Sequence, residues 1–141
     1  MIVISGSSSQ GLSADLASEL DVELLRATKK RFPDGECYVR IEREELDPEV
    51  VIVQNSFPDG EFMELLLLQE AASGLGAEHI TTVVPYFGYA RQDKRFEVGE
   101  PISAKVMAQH IQMYSDRTLT VDIHTPSILE WFDRSESTDV R

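Results

Sequence analysis

The eleven residues Pro85-Tyr86-Phe87-Gly88-Tyr89-Ala90-Arg91-Gln92-Asp93-Lys94-Arg95 carry the densest chemical signal in the sequence. They join aromatic rings, a glycine that lets a ligand approach the backbone, and three cations, Arg91, Lys94 and Arg95, within five residues. These parts suit an aromatic base bearing a polyphosphate, because a guanidinium grips phosphate oxygens bidentately and an ammonium adds a point charge. A solvated charged loop would share the composition. A second signal is Thr120-Val121-Asp122-Ile123-His124. In a strand, alternate side chains share a face, so Asp122 and His124 would stand side by side. A carboxylate and an imidazole at a strand end can help hold magnesium, which prefers oxygen ligands and keeps several waters. A simple hydrogen-bonded pair is the other reading. Asp133, further along the chain, could join the same site. The third segment is Arg31-Phe32-Pro33-Asp34-Gly35-Glu36, in which a turn presents an aromatic ring and two carboxylates. These could stack on a base and accept hydrogen bonds from ribose hydroxyls or an exocyclic amine, or form an ordinary hairpin tip.

The elements that must position these segments follow from periodicity. Ile2-Val3-Ile4 predicts a strand, and Leu12, Leu16 and Leu20 recur at helical spacing after it. Between Val22 and Ile41 the loose alternation around Pro33-Asp34-Gly35 predicts two short strands and a projecting loop, a hairpin near 28–41. Val50-Val51-Ile52-Val53 is a continuous apolar run, as in a parallel strand covered on both faces. A helix is expected from Glu61 to Ser73, capped by Asp59 and stopped by Gly74 and Gly76. Ile80 to Val84 reads as a strand, 86–100 as a charged loop and Ile102 to Tyr114 as a helix. Leu119 to Ile123 is the last clear strand, and a further helix begins at Pro126 to Phe132. Strands alternating with helices imply an α/β fold with an open, mostly parallel sheet flanked by helices, whose ligands bind at the carboxyl ends of the strands. Phe-Pro-Asp-Gly-Glu occurs at 32–36 and at 57–61, and this echo is read as shared turn chemistry rather than an internal repeat.

Composition bounds the function. A length of 141 residues suits one domain, and 42% hydrophobic with 27% charged residues is ordinary for a globular protein. A net charge of −12 argues against broad affinity for nucleic acid or anionic membrane, so any bound phosphate needs a local cationic cluster. The lysine-poor acidic balance fits a salt-adapted protein as well as an ordinary cytosolic enzyme. Cys37 stands alone, which excludes an internal disulfide and suggests a half-buried strand position in a reducing compartment. With no signal-peptide pattern at Met1 and no long apolar stretch, a cytoplasmic location is expected.

In this order the three segments resemble the N-terminal domain of ribose-phosphate pyrophosphokinases. The resemblance runs from Ile4-Ser5-Gly6 through Arg31 to Glu36, Met63-Glu64-Leu65-Leu66 and Pro85 to Arg95, then to Pro101-Ile102-Ser103-Ala104-Lys105 and Asp122-Ile123-His124. The run Arg95 to Glu100 is similar to archaeal members. The resemblance implies a phosphoribosyltransferase-like fold, and a reaction in which ribose 5-phosphate attacks the β-phosphorus of Mg-ATP to give PRPP and AMP. It implies that Phe32, Asp34, Gly35 and Glu36 reach the ATP site of a neighbouring subunit, so that the chain forms a homo-oligomer. It also implies that Arg91 and Gln92 hold the nucleotide, and that His124, with Asp122 and Asp133, holds magnesium. Ser137 departs from the family, which has a second acidic residue four positions after Asp133. No segment resembles the family's second domain, which binds ribose 5-phosphate and carries the catalytic lysine. The expectation is therefore an N-terminal ATP-binding domain over 1–141 with that second domain absent, inactive alone. The alternative is a non-catalytic regulatory partner of a full-length enzyme.

Overall fold

A computed structural model describes residues 1–141. Its centre is a six-stranded, wholly parallel sheet in the order β2-β1-β5-β6-β7-β8, comprising β1 (Ile2–Ser5), β2 (Glu23–Arg26), β5 (Glu49–Val53), β6 (His79–Val84), β7 (Arg117–Val121) and β8 (Glu136–Val140). Strands β3 (Thr28–Arg31) and β4 (Cys37–Arg40) form a separate antiparallel hairpin, at the place the turn chemistry indicates. Helix α1 (Gln10–Leu20) connects β1 to β2, α2 (Asp59–Gly74) connects β5 to β6, and α3 (Ser103–Ile111) connects β6 to β7.

The chain steps one way along the sheet from β1 to β2 and the other way from β5 to β7, and right-handed crossovers therefore place α1 on one face and α2 and α3 on the other. Alternation within the strands divides the core accordingly. Ile2, Ile4, Val50 and Ile52 join the large cluster under α2 and α3, whereas Val3, Val51 and Val53 meet Ala17 of α1. On α2 the buried residues Glu64, Leu65, Leu68, Gln69 and Ala72 follow helical spacing.

Several expectations are corrected. On α1 only Leu16 of the three spaced leucines packs toward the sheet: Leu12 and Leu20 are exposed, and Ser13 and Ala17 are the buried residues, because small residues let the helix lie close on the sheet. Asp59 is the first residue of α2 and makes no capping hydrogen bond; its carboxylate accepts one from the Tyr89 hydroxyl instead. The helix after 102 ends as α at Ile111 and tightens into a 3-10 turn, Gln112–Tyr114. Pro126–Trp131 is 3-10 rather than α, and it is followed by the unanticipated strand β8. Strand β7 ends at Val121, and Asp122 takes a left-handed conformation with φ 48°, so Asp122 and His124 do not share a strand face. Cys37 is a half-buried strand residue, as read. No helix is long and apolar enough to cross a membrane.

Candidate functional site

In an open parallel sheet the crevice between strands whose connections diverge is the natural ligand site. Here that crevice lies past the ends of β1 and β5, and side chains fill it. Glu64 of α2, only 1% exposed, accepts hydrogen bonds from Ser7 N (2.9 Å), Ser7 Oγ (2.6 Å) and Gln54 Nε2 (3.0 Å), and pairs with Lys29 Nζ at 2.8 Å. Glu61 accepts from Gln54 Nε2 at 2.7 Å and lies 3.4 Å from Lys29 Nζ. Gly6 leaves the space for this packing: a Cβ there would fall 2.1 Å from Gln54 Oε1.

Burial by itself would lower the Lys29 pKa, but hydrogen bonding and charge from Glu64, then Glu61, outweigh it and leave the ammonium raised. Burial by itself would raise Glu61, but the Gln54 hydrogen bond and the Lys29 charge hold it below the usual carboxylate value. The signs set a window. Glu61 contributes stability above its unfolded pKa that is lost as pH falls through the folded one, and Lys29 contributes stability below its unfolded pKa that is lost as pH rises through the folded one. Between the two, Lys29 and Glu61 are both charged. Glu61→Gln should therefore remove part of the acid-side decline in melting temperature below about pH 4.5, the unperturbed range of a glutamate. An unchanged acid limb would refute the assignment.

The open space lies one step along the sheet. A cleft of ≈650 Å³ sits at the carboxyl ends of β5, β6 and β7, with Arg91, Asp122 and His124 as its charged and imidazole groups and Phe57, Tyr86 and Tyr89 among its aromatic ones. The Phe57 and Tyr86 rings lie 5.8 Å apart at 57° and make an exposed aromatic wall. The loops that carry them are laced together: Tyr86 N donates to Asn55 Oδ1 (3.0 Å), Ser56 N to Tyr86 O (3.1 Å) and Gly88 N to Ser56 Oγ (2.8 Å). Gly88 is required there, since a Cβ would fall 2.9 Å from Ser56 O and 2.8 Å from Phe57 Cβ. Gly88→Ala should lower stability by about 1–3 kcal/mol through overpacking, measured by thermal melts. An unchanged melting temperature would show that the two loops are free to separate.

Two of the three non-glycine residues with positive φ, Tyr89 (65°) and Asp122 (48°), line this cleft. Strained backbone of this kind concentrates at functional sites. The third, Asp21, caps α1 and has a structural cause. The hydrogen bond from Tyr89 to Asp59 raises the phenol pKa, with a smaller contribution from desolvation and then from the Asp59 charge, so the hydroxyl stays a neutral donor.

Of the residues singled out in the sequence, Arg91, Asp122 and His124 come together. Gln92 lies in the next loop, where its Nε2 donates to Lys94 O at 2.9 Å, so it shapes the loop that follows Arg91. Asp133 is elsewhere: it accepts from Gln112 Nε2 at 2.7 Å and lines a cleft with Ile80 and Asp116 at the amino ends of β6 and β7. The sequence reading overlooked Asp139 on β8. Its side chain is 6% exposed, and Oδ1 accepts from Thr120 Oγ1 (2.7 Å) and from Ile123 N (2.9 Å), pinning the turn that bears His124. Nothing local signals it, because β8 is polar and carries no apolar run. Lys29 and Glu64 were also missed as a pair, although a glutamate inside the leucine-rich stripe of α2 is itself a sign of a buried partner.

The hairpin tip stands apart from the cleft. Gly35 takes φ 96°, Glu36 N donates to Asp34 Oδ1 at 3.0 Å, and Phe32 stays exposed, edge-on to Tyr38 at 5.5 Å. No group of three or more His, Cys, Asp and Glu side chains is arranged to hold a metal ion.

Residues 1–114 match the family described as the N-terminal domain of ribose phosphate pyrophosphokinase. The chain belongs to this family. It is 45% identical over 135 residues to the ribose-phosphate pyrophosphokinase of Methanobrevibacter smithii, covering 94% of this chain and 45% of that protein. It is 43% identical over 132 residues to that of Halobacterium salinarum, covering 94% and 47%. Phosphoribosylpyrophosphate synthetase from Mycobacterium smegmatis superposes with a TM-score of 0.86 at 31% identity, covering 99% of this chain and 48% of that one. The chain thus spans about half the length of the ribose-phosphate pyrophosphokinases it matches.

Proposed function

We propose that this chain is the nucleotide-binding half of a ribose-phosphate diphosphokinase and holds Mg-ATP in the cleft over β5, β6 and β7. The supporting observation is the convergence there of Arg91, Asp122 and His124 beside an aromatic wall. Arg91 grips the polyphosphate, Gln92 holds the loop behind it, and the turn braced by Asp139 presents His124. The protein offers Asp122 and His124 as donors, which is too few for a bare ion and fits magnesium that arrives with phosphate oxygens and waters around it. When bound, magnesium would neutralise charge on the transferring diphosphate. Asp133, at the other end of the sheet, stays outside this set.

In the overall reaction the C1 hydroxyl oxygen of ribose 5-phosphate forms a bond to the β-phosphorus as the bond from that phosphorus to the α-bridging oxygen breaks. AMP leaves and the hydroxyl proton is released. Such a transfer depends on positioning and charge neutralisation more than on covalent help from the protein. The contacts to ribose 5-phosphate are assigned to a second domain, and the hairpin residues Phe32, Asp34, Gly35 and Glu36 to the nucleotide site of a neighbouring copy in a homo-oligomer. Titration calorimetry with ATP, with and without magnesium, alongside an assay for AMP formation, tests this. Magnesium-dependent binding without AMP release is the expected result for the chain alone; a folded chain that does not bind ATP would overturn the reading in favour of a non-catalytic partner.

A further inference from the structure

The hairpin shares no backbone hydrogen bonds with the six-stranded sheet. A two-stranded hairpin by itself is marginal, so its direction must be set by side chains at its base. Pairing of Lys29 with Val39 and of Lys30 with Tyr38 assigns these residues to opposite faces. Val39 packs on the large core, and Ile41 just beyond β4 lies in it. This apolar grip holds the β4 side. Outward, Lys30 sits 4.8 Å from the Tyr38 ring centroid and 5.8 Å from that of Phe32. On the β3 side Ala27 packs on the large core just before the strand and the Arg31 guanidinium lies against Gly60 of α2, while the buried charge contact is made by Lys29, whose ammonium lies 2.8 Å from Glu64 and 3.4 Å from Glu61 and donates to Ser7 Oγ at 3.1 Å.

We propose that Lys29 is a positioning residue: its ion pairs to Glu64 and Glu61 fix the angle at which the hairpin presents Phe32, Asp34 and Glu36 to a neighbouring subunit's nucleotide. This rests on the between-subunit role given to the hairpin above. Three features carry the assignment. The ion pair occupies the crevice that the topology would otherwise leave for a ligand, and it ties together β3, α2 and the loops after β1 and β5. Glu64 is buried, so its charge demands a partner, and Lys29 is the cation that supplies it. Only two residues separate Lys29 from Phe32, so a change of angle at the base is carried directly to the tip.

Mixed oligomers test the proposal. A Phe32→Ala chain keeps a sound cleft with a disabled hairpin, and an Arg91→Ala chain has the reverse, so co-expressing the two should recover ATP binding in mixed assemblies. Adding Lys29→Met to the Arg91→Ala chain, which donates the working hairpin, should lower the recovered affinity on the order of tenfold, as misplacing a contact group does. The same change in the Phe32→Ala chain should leave the recovered affinity as it was, and Lys29→Arg in the hairpin donor should restore binding. No recovery in the parent mixture would overturn the between-subunit reading and this proposal with it. Recovery that Lys29→Met leaves untouched, or lowers equally from either chain, would overturn the role of Lys29 alone.

Discussion

Arg91→Ala should weaken ATP binding about 10- to 100-fold, the loss expected when a charge-assisted contact of about 1.5–3 kcal/mol is removed. The expectation is large because the chain carries a net charge of −12, and Arg91 is the one cation lining the cleft. Long-range attraction for a polyphosphate is therefore weak, and local charge must supply it. Lys105→Ala, on the exposed surface of α3, is the matched control because it removes the same formal charge away from the cleft. Lys30 would be a poor control, since its ammonium rests over the Phe32 and Tyr38 rings. Calorimetric titration of both variants decides the matter. Equal losses would mean that net charge, not the Arg91 contact, governs affinity.

Glu64→Ala should destabilise the fold by about 3 kcal/mol, the usual consequence of removing one member of a buried ion pair. The deletion strips Lys29 Nζ, Ser7 N and Gln54 Nε2 of an acceptor at once, in a place water does not reach freely. For a domain of this size each kcal/mol lowers the melting temperature by about 3–5 °C, so a drop near 10 °C is expected. The double variant Lys29→Met with Glu64→Leu should lose less than the sum of its single changes, because the two residues interact directly and an apolar pair leaves no orphaned charge. Additive losses in a double-mutant cycle would show that the ion pair contributes little beyond packing.

The sequence by itself determined the fold class, the hairpin and the place of the aromatic and cationic segment after β6, because each is written in local periodicity or residue type. The apolar run of β5, the Pro33-Asp34-Gly35 turn and the aromatic and cationic residues from Tyr86 to Arg95 keep their meaning whatever surrounds them. Tertiary structure decided what depends on distant partners. The pentapeptide at 32–36 closes a hairpin around Gly35 at φ 96°, whereas the identical one at 57–61 runs into the first turn of α2, since neighbouring elements select between conformations that the turn residues tolerate equally. Sequence spacing placed Asp133 near His124; the parallel return of the chain into β8 carries it to the opposite end of the sheet and brings Asp139 beneath Ile123 instead. Lys29 and Glu64 are thirty-five positions apart, and although a glutamate among the leucines of α2 calls for a partner, nothing local says which cation it will be. Their pairing exists because folding removes Glu64 from water, and a buried charge is stable only where the fold also delivers its counter-ion.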